Sequence, residues 1–170
     1  STSDKNLSGT DVVPTSPFYG RSYTVYTEFG GPYSNRIVMS WTSDGGVSWS
    51  NVSPVSPPPS PGHMHQGCDV NVGPNGEVYV VWANCIMNGQ NSTEDSLGFA
   101  VSLDGGSSWV SSRSNASNMN GIRGFSFFQG LRMAGFPRLA VDRTGGVRNG
   151  WIYVTSVEKK IAPATDTDDI

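Results

Sequence analysis

The chain has 170 residues, a formal charge of −3 and only 15% charged residues, below the ~25% usual in soluble domains. With no long run of either sign it lacks the footprint of a polyanion-binding domain, and no stretch approaches the ~18 apolar residues of a membrane helix. Gly (21), Pro (11) and abundant Ser and Asn predict many short strands joined by turns, around a core drawn from seven Phe, six Tyr and five Trp.

In chain order, residues 1–19 are polar and Ser/Thr-rich and read as an irregular N-terminal segment. Tyr23–Thr27 and Arg36–Ser40 have the β-branched, alternating character of strands and define a partial unit over 20–51. That unit closes with Thr42-Ser43-Asp44-Gly45-Gly46-Val47-Ser48-Trp49. Pro54 to Pro61 reads as an extended polyproline-type crossover, followed by His63-x-His65.

A complete unit spans 68–112, with an inner strand from Cys68 to Gly73 and an Asn75-Gly76 hairpin. Strands at Val78–Trp82 and Leu97–Val101 follow, then Ser102-Leu103-Asp104-Gly105-Gly106-Ser107-Ser108-Trp109. A partial unit over 136–170 repeats the inner strand as Pro137–Asp142 and the next as Trp151–Thr155. No segment has a 3.6-residue apolar period, so no helix is expected.

The two octapeptides share the pattern S/T-x-D-G-G-x-S-W. Asp accepts backbone N–H groups ahead of it, the glycines supply positive φ, and Ser or Thr two residues earlier adds a local hydrogen bond. Trp49 and Trp109 are placed to cover apolar surface beside the turn. Thr42, Asp44, Gly46, Trp49 and their counterparts Ser102, Asp104, Gly106, Trp109 are therefore structural residues.

These octapeptides resemble Asp-boxes, also called BNR repeats, of sialidases and other secreted propellers. The resemblance covers most of residues 20–170. It implies an all-β chain: a β-propeller segment of two to three four-stranded antiparallel blades, incomplete at both ends. A propeller needs at least four blades, so the remaining blades come from the same or another chain.

For function, the resemblance implies a segment of a secreted or cell-surface protein, non-catalytic by itself, that binds carbohydrate or a surface protein. Four N-x-S/T sequons, at Asn6, Asn51, Asn91 and Asn115, agree with that location. The alternatives are part of an exo-α-sialidase-like glycoside hydrolase completed elsewhere, and an assembly protein whose propeller another chain completes. In the family, three arginines hold the substrate carboxylate beside a Tyr–Glu pair and an Asp acid/base. Arg123, Arg132 and Arg138 are the candidates here, but no Tyr–Glu pair can be assigned, and Phe136-Pro137-Arg138-Leu139 has the wrong order for the family's early signature.

The loops opposite the turns, roughly 28–35, 52–67, 84–96, 111–135 and 158–168, are where a ligand site is expected. They carry Glu28, Tyr33, His63, His65, Glu94, Asp95, Arg123, Phe127, Phe128, Arg132 and Glu158. Phe125 with Phe127 and Phe128 is either a sugar platform or core. Aligning the inner strands sets Asp69 where the next unit has Arg138, as an ion pair between blades or a polar ligand site.

Cys68 and Cys85 end adjacent strands, and one bulge in the hairpin makes them a disulfide pair; two free thiols are the alternative. His63-x-His65 fits no common zinc spacing, so neither metal nor cofactor is expected. Asp166, Asp168 and Asp169 read as solvated charge. Nucleic acid and a membrane span are not expected as partners.

Overall fold

A computed structural model describes residues 2–89, 91–122 and 133–159. Among these described residues there are ten strands and no helix. The first sheet is antiparallel in the order β1 (Thr2–Thr10), β2 (Ser22–Phe29), β3 (Arg36–Thr42) and β4 (Ser53–Pro54). The second repeats the plan with β5 (His63–Val72), β6 (Val78–Asn88), β7 (Asn91–Ser102) and β8 (Ser111–Asn118). The third is the pair β9 (Arg138–Val141) and β10 (Ile152–Thr155).

The first sheet corrects the expectation of an irregular N-terminus and a partial unit over 20–51. Thr2–Thr10 pairs with β2 along its length, apart from a bulge between Asp4 and Leu7 where Lys5 has φ 58°. The strand is held by its backbone ladder and by close approach to β5, not by an apolar face. Leu7 is its one hydrophobic side chain, packed against the core. At Gly9 an added Cβ would fall 3.0 Å from the Val70 carbonyl oxygen, so a side chain there would crowd the neighbouring strand.

The second sheet is larger than the expected 68–112. β5 begins at His63, so both histidines lie on a strand, and β6 and β7 run through most of the expected loop 84–96. Their ladder extends to the pair Asn88 and Asn91. At the other end Gly73 N–H bonds to Glu77 O at 2.8 Å, which gives a wider turn than the Asn75-Gly76 pair alone. Val72 therefore faces Val78.

Alternation along β6 divides the second sheet's faces. Val78, Val80 and Trp82 join Cys68, Val70, Val72 and Ala100 against Tyr23, Val25, Ile37 and Met39 of the first sheet. Gly98 lies opposite Trp82, and a Cβ there would fall 2.0 Å from the indole. Only glycine leaves room for the fully buried Trp82.

Cys68 and Cys85 are buried and not joined by a disulfide, which corrects the expected pairing. The bulge lies between Gln66 and Asp69, so β5 resumes with Asp69 opposite Val81 while Met64 faces Cys85. Cys68 is thus about three rungs from Cys85, roughly 10 Å at ~3.3 Å per residue, beyond disulfide reach. Cys68 packs in the main core and Cys85 in a satellite with Met64 and Ala83. Burial pushes the Cys68 thiol up to about 12, against a smaller lowering by its own backbone hydrogen bond and with a smaller push from the Asp69 charge.

The two Asp-Gly-Gly turns have matching hydrogen bonds. Thr42 and Ser102 hydroxyls each donate to the Asp two residues on at 2.7 Å. The same hydroxyls accept Gly46 N–H at 3.0 Å and Gly106 N–H at 2.8 Å. Asp44 and Asp104 accept the Ser48 and Ser108 N–H groups at 2.9 and 2.8 Å, and each also takes the serine hydroxyl. All four glycines have φ between 66° and 91°.

Candidate functional site

The turns close the C-terminal ends of β3 and β7, so the beginnings of β3, β5 and β7 and the ends of β2 and β6 meet at the opposite pole. There the sheets are joined by polar groups. His65 N–H donates to Asn35 O at 2.9 Å, and the Thr27 hydroxyl donates to His65 O at 3.0 Å. Asn35 reaches this geometry with φ 65°, a conformation Asn tolerates better than most residues. Gln66 Nε2 donates to Asp4 Oδ2 across the same seam.

The His65 ring is 1% exposed, with Nδ1 2.8 Å from Ser56 Oγ. Ser56 Oγ also accepts Ile37 N–H, and Ser56 O accepts Arg36 Nε at 2.8 Å and Arg36 Nη2. The other side of the ring lies tilted on Trp82 at 5.7 Å. Burial, then the Arg36 and His63 charges, lowers the His65 pKa to about 4. The ring is therefore neutral near pH 7 and serves as a seam residue.

A second polar chain continues into the sheet. Trp82 Nε1 donates to Asn84 Oδ1 at 3.0 Å, and Asn84 Nδ2 donates to Ser96 Oγ and Asn115 Oδ1. Glu94 is 1% exposed; its Oε1 accepts Gly135 N–H at 2.9 Å, and its carbonyl accepts Gly121 N–H at 3.0 Å. Buried carboxylates are tolerated when backbone donors satisfy them. Glu94 thus fastens the segments around 121 and 135 to the second sheet.

Groups open to solvent lie around this seam. His63 Nε2 is 3.5 Å from Asp95 Oδ2, both partly exposed, and His63 Nδ1 is 3.1 Å from Pro61 O. Arg36 lies 5.7 Å from the Tyr33 ring centre, and Tyr33 N–H donates to Glu28 Oε2 at 2.7 Å. Near the chain end, Glu158 Oε2 accepts Asn120 N–H.

The inner strands β5 and β9 are neighbours, as alignment of the repeats requires, but no ion pair joins Asp69 to Arg138. Asp69 Oδ2 instead accepts Leu139 N–H at 2.9 Å, and Arg138 is exposed. A carboxylate this close to a backbone donor needs no reach from a long side chain. Arg123, Arg132, Phe125, Phe127, Phe128, Asp166, Asp168 and Asp169 lie outside the described residues.

Asp4, Ser56, Gln66, Asn84 and Ser96 were not singled out from the sequence. Their one signal is a small polar residue inside or beside an apolar strand, as at Gln66 and Asn84. No group of three His, Cys, Asp or Glu side chains suited to a metal ion occurs among the described residues. None of their helices, since there are none, could cross a membrane. No family model, curated protein or solved structure matches the chain.

Proposed function

We propose that the chain is a segment of a secreted or cell-surface Asp-box propeller that binds carbohydrate at the pole opposite its turns, without catalysis of its own. The observation that carries this reading is the paired turn geometry: two octapeptides with the same hydrogen bonds close the same end of two successive four-stranded antiparallel sheets. A repeated scaffold with one end occupied by tight turns leaves the other for recognition. His63 with Asp95, Tyr33 with Arg36, and Arg138 offer donors, acceptors and an aromatic face suited to a polyhydroxylated ligand.

Binding is favoured over hydrolysis by how the acids are used. Glu94 and Asp69 accept backbone N–H groups, and Tyr33 meets Glu28 through its amide, not its phenol. The test is an NMR titration with sialylated and galactose-terminated oligosaccharides, alongside a fluorogenic sialoside assay. Saturable shifts at His63, Asp95 and Tyr33, weakened in Asp95→Ala and without turnover, are expected. Absence of shifts at that pole sinks the binding reading, and sialoside turnover would move the chain to the hydrolase alternative.

A further inference from the structure

The second Asp-Gly-Gly turn is seated on the first sheet. Gly105 and Gly106 are buried there, whereas Gly45 and Gly46 of the first turn are exposed. Arg21 Nη1 donates to Gly105 O at 2.8 Å. A Cβ added to Gly106 would lie 2.3 Å from Met39 Cε and 3.4 Å from Tyr23 Cε1. Trp109, which ends the same turn, packs on the core that holds Tyr23 and Met39. In the first turn the indole nitrogen of Trp49 lies 4.0 Å from the same position on Gly46. The repeated turn geometry thus sets the Trp109 indole nitrogen beside Gly106, next to the Tyr23 ring.

Among the described residues, every buried side-chain nitrogen or oxygen without a hydrogen-bond partner falls at this joint: Arg21 Nε, the Tyr23 hydroxyl and Trp109 Nε1. Arg21 also makes no ion pair among those residues. Its guanidinium lies 3.8 Å from the Trp41 ring centre and 4.9 Å from that of Phe18. Asp11, whose N–H donates to Arg21 O, gives its carboxylate to Val13 N–H and the Ser16 hydroxyl. Tyr23 is 0% exposed, and burial raises its pKa to about 12, with the Arg21 charge working against the rise and Asp11 adding to it. The phenol therefore keeps its proton and stands as a donor.

A guanidinium N–H, a phenol O–H and an indole N–H at one joint form a set of donors. Donors stranded in a packed interior are costly, so the set calls for an acceptor. A water has two lone pairs for the three of them, whereas a halide takes all three and also balances the Arg21 charge. We propose that Arg21, Tyr23 and Trp109 bind a small monovalent anion, of chloride size, where the second turn meets the first sheet. The anion ties β2 to the turn at 102–109 and makes the joint between the two sheets responsive to halide. The site is separate from the pole at His63 and Asp95, and the inference does not depend on sugar binding.

The test uses the full chain. Urea denaturation is followed as chloride replaces gluconate, a bulkier anion, at constant ionic strength. The midpoint should rise and then saturate as the site fills. Tyr23→Phe keeps the ring and removes one donor. It should weaken the apparent chloride affinity about ten-fold, and without chloride it should be no less stable than the parent. Crystals grown in bromide should show an anomalous peak within hydrogen-bond reach of Arg21 Nε, Tyr23 Oη and Trp109 Nε1. A midpoint indifferent to chloride, an equal chloride response in Tyr23→Phe, or a water where bromide is expected overturns the proposal.

Discussion

The Asp69 carboxylate accepts the Leu139 N–H at 2.9 Å, while Asn71 Nδ2, two residues further along β5, donates to Leu139 O at 3.2 Å. Two side chains on one strand face thus satisfy both backbone groups of a residue in the next sheet. This fastens β9 beside β5 without a backbone ladder. Asp69→Ala should cost about 2 kcal/mol, the scale for losing a charge-assisted bond and stranding its donor. Native-state hydrogen exchange checks it: β9 and β10 should open more readily while β2 and β3 keep their protection.

The seated turn should matter more than the exposed one. Burial works to raise the Asp104 pKa, but bonds from Ser108 and Ser102 together outweigh it and leave the value at about 2. Asp44 is held far below the usual carboxylate range, first by the Ser48 hydroxyl, then by the Ser48 amide and Thr42. Asp104→Ala should destabilise by about 2 kcal/mol, and Asp44→Ala by clearly less, in urea denaturation. Both acids contribute stability above their unfolded pKa near 4 that is lost as pH falls towards 2.

His65 produces a separate window. Its folded pKa of about 4 lies below the unfolded ~6.5, so the unfolded chain takes up the proton first. Stability is full above pH 6.5 and declines as pH falls through 4, by about 3 kcal/mol at the limit. Denaturant midpoints between pH 7 and 4 should fall for the native chain and be flatter for His65→Gln. Equal slopes would place the titration elsewhere.

Gly98→Ala should cost about 2 kcal/mol or more, because the new methyl meets the Trp82 indole in a packed core. Trp82 fluorescence should shift as its ring is displaced. A variant as stable as the parent would mean that the indole has another place to lie.

The thiols should be silent in the folded state. Cys68 and Cys85 are both 0% exposed, and burial raises the Cys68 pKa to about 12. A thiol reagent should label neither until the chain is unfolded, then both. Non-reducing peptide mapping should find no linkage between them, and a linked pair would contradict the register of β5.

The turns were legible in the sequence because their chemistry is local: Asp44 and Asp104 find partners within four residues. Strands β2, β3, β6 and β7 announced themselves by alternation, which depends only on one side of each strand meeting a core. β1 gave no such sign, since its residues are mostly polar and its ladder needs β2 to be in place. The candidate site was legible only in part. His63, His65, Glu94 and Asp69 were visible as residue types, but the sequence could not say which were buried.

By itself, then, the sequence determined the repeat, the all-β class and the two Asp-Gly-Gly turns, because each is written in residues a few positions apart. Tertiary structure decided the rest. The register of β5 on β6 kept the cysteines apart, the seam took His65 inward and made it neutral, and Asp69 met Leu139 instead of Arg138. These outcomes depend on groups brought together from distant parts of the chain, where packing and desolvation outweigh any local preference.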